Sequence, residues 1–170
     1  MRIGELTEDD AEAYWAVRLR ALREEPEAFG SSYEESKERP LSVVTERLRA
    51  ITQDGNFLLG AFEDSGALVG IVAFERAAGK KNRHIGDIFQ MYVAPEARGK
   101  GYGRALMEAL IARARALDGL EQLILAVVSV NTAAAALYRA LGFEVYGQQP
   151  RALKLGADRY LDEQLMVLWL

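Results

Sequence analysis

The residues best placed to do chemistry lie in the run Arg98-Gly99-Lys100-Gly101-Tyr102-Gly103-Arg104. Glycines let a backbone approach a ligand closely and take up left-handed torsions. Where such a loop opens a helix, several amides point the same way without partners, and the helix dipole adds partial positive charge. Arg98, Lys100 and Arg104 add formal charge. The sum is a cradle for a phosphate or pyrophosphate. The run matches neither common nucleotide loop. A dinucleotide fingerprint needs GxGxxG early in a βαβ unit with an acid further on, and a P-loop needs Ser or Thr after its Gly-Lys. Here Gly101-Tyr102-Gly103 is followed by Arg104-Ala105-Leu106.

Other polar residues stand where a binding site would use them. Asp87 is a carboxylate on an otherwise apolar stretch, where burial would raise its pKa; the plainer reading is a partly exposed, hydrogen-bonded Asp. Asn131 follows an apolar strand, and Tyr138 falls two turns into the alanine-rich helix after it. His84, the one histidine, sits at a strand entrance and reads as a surface residue. Glu34, Glu35 and Glu38 crowd one segment.

The elements that must hold these groups follow from periodicity. Ile85–Val93 is nearly continuously apolar, as in a strand buried on both faces, and Pro95 ends it. Ala105, Leu106, Ala109, Leu110 and Ala112 recur at helical spacing, and Gly119 is the expected C′ residue. Leu120 to Val128 is the next strand. A strand, a crossover helix and a second strand form a right-handed unit, so the two strands are expected as parallel neighbours.

Upstream, Arg2–Glu5 reads as a short strand. A helix capped by Thr7 and Asp10 runs to Glu24, with Tyr14, Trp15, Leu19 and Leu22 on its apolar side and Arg18, Arg20 and Arg23 on its wet side. Residues 28–33 form a loop with two aromatics, and Leu41 to Ile51 a helix. Asn56–Phe62 and Ala67–Phe74 form a hairpin. Downstream, Thr132–Leu141 is a short helix ending at Gly142, and Phe143–Tyr146 a strand. Gly147 to Arg151 starts a long connection, and Gln164–Leu170 is the closing strand. The layout is α/β: one domain over residues 1–170, with a mixed, mostly antiparallel sheet of six or seven strands flanked by about four helices.

The chain has 170 residues, half of them hydrophobic, and a formal net charge of −4. That charge disfavours general nucleic-acid binding. The absence of cysteine excludes disulfides, thiolate nucleophiles and thiolate metal sites. The acidic start MRIGELTEDD is unlike a signal peptide, and no apolar run is long enough to span a membrane. A cytoplasmic protein is expected.

If the parallel strands part at their C-terminal ends, a cleft opens between them with the anion loop at its mouth. Backbone of Met91, Tyr92 and Val93 would line one wall. A long ligand with phosphates at one end and a peptide-like arm at the other would fit, and coenzyme A has that form.

The chain resembles the GCN5-related N-acetyltransferase (GNAT) superfamily. The signature Arg/Gln-x-x-Gly-x-Gly/Ala is met by Arg98 through Gly103, with Met91-Tyr92-Val93-Ala94-Pro95 as its lead-in. A second signature is met by Asn131 through Phe143. The resemblance covers nearly the whole chain. It implies backbone contacts from Met91 and Val93 to a pantetheine arm, pyrophosphate held by the amides of Gly99, Gly101, Gly103 and their neighbours, and Asn131 on the cofactor arm. It implies Tyr138 as the acid for the leaving thiolate. Asp87 falls, counting back from the loop, where the histone-acetylating branch carries its glutamate base; a glutamate of 34–38 or a water chain are the other choices. The implied reaction is direct attack of a primary amine on acetyl-CoA through a tetrahedral intermediate, with no metal. The acceptor is a small-molecule or peptide amine, walled by some of Phe29, Tyr33, Tyr146, Arg151 and Tyr160, and the acidic loops would draw a cationic amine. A non-catalytic coenzyme A-binding module and a protein N-acetyltransferase are the alternatives. The very apolar strand Leu165–Leu170 is compatible with a homodimer.

Overall fold

The computed structural model describes residues 1–51 and 55–170. Its strands are β1 (Arg2–Glu5), β2 (Phe57–Phe62), β3 (Leu68–Arg76), β4 (Ile85–Val93), β5 (Gln122–Val128), β6 (Glu144–Lys154) and β7 (Tyr160–Trp169). They form one seven-stranded sheet in the order β1-β2-β3-β4-β5-β7-β6. Every neighbouring pair is antiparallel except β4 and β5. The α-helices are α1 (Ala11–Glu24), α2 (Tyr33–Ser36), α3 (Leu41–Ile51), α4 (Tyr102–Arg115) and α5 (Thr132–Ala140). The fifth helix, beyond the four expected, is α2, one turn long. Ser32 caps it, accepting from the Glu35 amide while the Glu35 carboxylate accepts from the Ser32 amide.

Contacts of consecutive β4 residues define the two faces of the sheet. The Tyr92 hydroxyl donates to Glu24 of α1 at 2.8 Å, whereas Val93 and Met91 reach Gly103 at the start of α4. α1 and α3 therefore cover one face, and α4 the other. Between them lies a core that fully buries Leu6, Leu22, Leu48, Phe57, Phe74, Leu106, Leu110 and Met166. Phe57 and Phe74 stack at its centre, with ring centroids 4.7 Å apart.

The alternation of β4 is interrupted once. Ile71 lies opposite Tyr92 and Ala73 opposite Phe89, so Val72 alone faces both Gln90 and Met91. This is a β-bulge, and Gln90 takes φ 57° to make it. The strain is held by a buried hydrogen bond from the Tyr14 hydroxyl to Gln90 Oε1 at 2.7 Å. The bulge swaps the faces. Asp87 and Phe89 precede it on the α1 side, and Met91 and Val93 follow it on the α4 side.

Several boundaries differ from the sequence-based expectation; the closing strand β7, expected from Gln164, already starts at Tyr160. Helix α4 ends at Arg115, and Gly119, at φ 67°, turns the chain after an intervening turn. The long connection expected from Gly147 is instead the body of β6, which pairs with β7 back to Lys154↔Tyr160. Register shifts at Val145/Gly147 and Gln149/Leu153 absorb the turn-like residues between them. Pro150 is tolerated because β6 lies at the sheet edge.

Candidate active site

The β4–β5 ladder holds only three pairs, Ile85↔Gln122, Gly86↔Leu123 and Asp87↔Ile124. Beyond Asp87 the strands part: β4 pairs with β3 alone and β5 with β7 alone. The gap opens into a cleft of about 930 Å³, lined by β4 from Asp87 to Val93, β5 from Leu125 to Val128, the start of α4, and α5. That volume is typical of a ligand site.

At the mouth, the six amides from Gly99 through Arg104 donate to no acceptor among the described residues. The hydrogen-bond ladder of α4 begins with Ala105, whose amide donates to the Gly101 carbonyl at 3.0 Å. Gly99 at φ 73° and Gly101 at φ 87° give the loop the left-handed torsions from which backbone anion cradles are built. At Gly103 a β-carbon would stand 3.3 Å from Met91 Cε, on the cleft floor. A diphosphate fits such a row of unpaired donors at a helix start.

The cations of the loop are placed differently from one another. The Arg98 guanidinium donates from Nε to the Val93 carbonyl at 2.9 Å and from a terminal nitrogen to Glu25 at 2.8 Å, so it braces the loop as much as it charges it. Arg104 lines the cleft and pairs loosely with Glu108 at 3.3 Å. Lys100 is exposed and lies outside the lining. Tyr102 and Tyr92 line the cleft, but the Tyr92 side chain is turned to α1 and the residue stands opposite Ile71 in the β3–β4 ladder. Burial and the bond to Glu24 hold the Tyr92 phenol far above its ordinary range.

On the far wall, Asn131 caps α5, its side-chain oxygen accepting from the Ala134 amide at 3.1 Å. Asn131 lines the cleft, and its side-chain nitrogen has no acceptor among the described residues. Tyr138 is buried to within 6% of full burial, lines the cleft, and its hydroxyl bonds to none of the described residues. Burial pushes its phenol up to about 12. Asp87 sits at the closed end of the cleft, where the strands separate. Asp87 is solvent-exposed as a residue; partial desolvation of its carboxyl against the sheet raises it to about 6, and Glu75, directly opposite on β3, adds to the rise.

Of the other sequence candidates, Phe29 lines the cleft; Tyr33, Tyr146, Arg151 and Tyr160 do not. Glu34 pairs with Lys37, and neither it nor Glu38 reaches the cleft. Several lining residues escaped the sequence reading. Glu163 faces the cleft because β7 pairs Glu163 with Val128, and burial raises its carboxyl. Arg47 comes from α3. Arg18 was expected on the wet side of α1, yet it is 7% exposed. The buried positions are Ala11, Tyr14, Arg18, Ala21 and Leu22, so Arg18 occupies the apolar stripe itself. Its spacing from Tyr14 and Leu22 was the available signal; its charge obscured it.

The model of the acetyltransferase (GNAT) family matches residues 16–143. The chain belongs to the GNAT acetyltransferase family. Among curated relatives, the L-methionine sulfoximine/L-methionine sulfone acetyltransferase of Pseudomonas paraeruginosa is 47% identical over 46% of this chain and 44% of its own length. The mycothiol acetyltransferase of Thermobispora bispora is 36% identical over 79% of this chain and 43% of its own length. The chain thus spans less than half the length of these relatives. A phosphinothricin acetyltransferase from Sinorhizobium meliloti, solved in complex with acetyl-CoA, superposes with a TM-score of 0.84 at 27% identity, over 99% of this chain and 88% of that one.

Proposed function

We propose that this GNAT chain moves the acetyl group of acetyl-CoA to a primary amine, by direct attack of the amine on the thioester. The observation that carries the reading is the row of six unpaired amides at the mouth of a cleft made by parting parallel strands. The amides of Gly99 through Arg104 hold the diphosphate. The pantetheine arm runs between the strands, where its own amides complete β4 backbone at Met91 and Val93. A backbone amide of β4 stabilises negative charge developing on the carbonyl oxygen. Asp87, raised to about 6, is the base that receives the amine proton. Tyr138 donates a hydrogen bond to the departing sulfur. The names of the relatives, methionine sulfoximine and mycothiol, favour a small-molecule acceptor.

Release of coenzyme A, followed with a thiol reagent across a panel of amines, tests the proposal. Amine-dependent release is expected. Tight acetyl-CoA binding with no release for any amine would make the chain a binding module, and absence of binding would remove the reading altogether.

A further inference from the structure

Arg18 is the least expected group in the molecule. Its Nη1 is buried and has no hydrogen-bond partner, and no carboxylate among the described residues pairs with the side chain. Its guanidinium lies over the face of Phe29, 4.5 Å from the guanidinium carbon to the ring centre. A buried, unpaired guanidinium is among the costliest arrangements a protein can hold. Burial, with the nearby charge of Arg47, holds its pKa below the ordinary guanidinium range, though a guanidinium stays charged at neutral pH.

The surroundings do not supply the missing charge. Arg18 borders a small cavity of about 80 Å³, where it is joined by Arg39, Arg47, Ser31, Ser36, Tyr14 and Gln90. Glu35 is the one carboxylate there, and it is engaged with the Ser32 amide in the cap of α2. Three arginines around one carboxylate leave the space positive. It also adjoins the cleft: Arg18, Ser31, Arg47 and Gln90 line both. Gln90 is the bulge residue beside Met91, so the positive space opens on the α1 side, close to where β4 meets the acyl group in the function proposed above.

We propose that the acceptor is a small amine that also carries an oxyanion, a carboxylate in the first instance, and that Arg18 with Arg47 binds this anion while the amine lies in the cleft. The inference rests on the transferase reading and deepens it by naming the substrate class. It reverses the expectation of a cationic amine drawn by acidic loops: Glu34 is paired with Lys37, Glu25 and Glu27 just after α1 are paired with Arg98 and Arg159, and α1 and α3 themselves present Arg18 and Arg47 to the cleft. A guanidinium fork matches a carboxylate in two parallel hydrogen bonds, which explains an arginine where a lysine would bury as well.

The test compares wild type, Arg18→Met and Arg18→Lys, each loaded with acetyl-CoA. The acceptors are L-amino acids of varied side chain, their carboxamides, the corresponding decarboxylated amines, spermidine and kanamycin. Turnover is expected with carboxylate-bearing amines, falling roughly 100-fold or more in kcat/KM for the carboxamide of the best one. In Arg18→Met that discrimination collapses, and Arg18→Lys restores only part of it. Equal use of acid and carboxamide, or preference for spermidine or kanamycin, would overturn the proposal. Calorimetry with acetyl-CoA on the same proteins separates the two levels. Lost binding in wild type defeats the transferase reading, whereas normal binding in Arg18→Met confirms an intact fold. Should no amine in the panel turn over, melting temperatures with oxalate and inorganic sulfate decide: wild type is stabilised and Arg18→Met is not. An equal response in both means water alone hydrates the arginine and overturns the site.

Discussion

A phenol raised to about 12 by burial is a hydrogen-bond donor at every pH the protein meets, and a reluctant source of a whole proton. Tyr138 therefore acts by easing charge onto the departing sulfur. Tyr138→Phe is expected to lower kcat by about 100-fold with little change in acetyl-CoA affinity. Wild type should show no falling limb between about pH 8 and 10 from this group; such a limb, abolished in the variant, would mark a lower pKa and a full proton transfer. Asp87 gives the opposite limb. As a base it must be ionised, so kcat should rise through about pH 6 and flatten in Asp87→Asn. Stability runs the other way. The folded pKa is raised from 3.8 to about 6, so the fold favours the protonated acid, and stability is lost as pH rises through that window. With the open edge of Asp87 discounted for solvent screening, Asp87→Asn should gain about 1 kcal/mol at neutral pH and nothing near pH 4, measured by denaturant melts.

At the scale of elements, the site is made by what β4 fails to do. It parts from β5 after Asp87↔Ile124, and it bulges at Gln90. The parting frees backbone, and the bulge sends Tyr92 to α1 while Met91 and Val93 stay with the anion loop. Parallel pairing was legible from the strand–helix–strand order and the loop from its glycines. The bulge was not, because Phe89-Gln90-Met91 reads as ordinary strand and only the count against Ile71–Ala73 exposes the extra residue. The hairpin of β6 was hidden for a related reason: Gly147, Pro150 and Arg151 look like a turn, yet an edge strand with register shifts accommodates them. The loop itself can be tested through its torsions. Among the described residues a β-carbon at Gly101 would meet only Met1 Cε, at 3.9 Å, an ordinary contact for Gly101→Ala. It still has to hold φ 87°, which costs about 1–2 kcal/mol. Relief of that strain would turn the amides away, so the variant should lose acetyl-CoA affinity by calorimetry while still melting cooperatively.

Across the whole molecule, a chain of net charge −4 still sets two groups of cations beside the cleft, one in the glycine loop at its mouth and one made of the arginines behind α1. The link between the two regions is ionic. Arg20 of α1 forks onto Glu96 at 2.6 and 2.7 Å, and Arg98 reaches Glu25 at 2.8 Å, tying the end of α1 to the loop. The β2–β3 hairpin, the parallel pairing of β4 with β5 and the anion loop could be read in advance because they follow from periodicity, connection rules and glycine chemistry. Arg18 could not, because its role depends on which strand and which helices close around it. The central claim is that the diphosphate of coenzyme A rests on the backbone from Gly99 to Arg104. Titration of the ¹⁵N-labelled protein with coenzyme A, and separately with pantetheine, measures this at each amide. The expected result is large shifts in those six amides with coenzyme A and small ones with pantetheine, which lacks the diphosphate. If they stay in place at saturating coenzyme A, or move equally with both ligands, the account is contradicted.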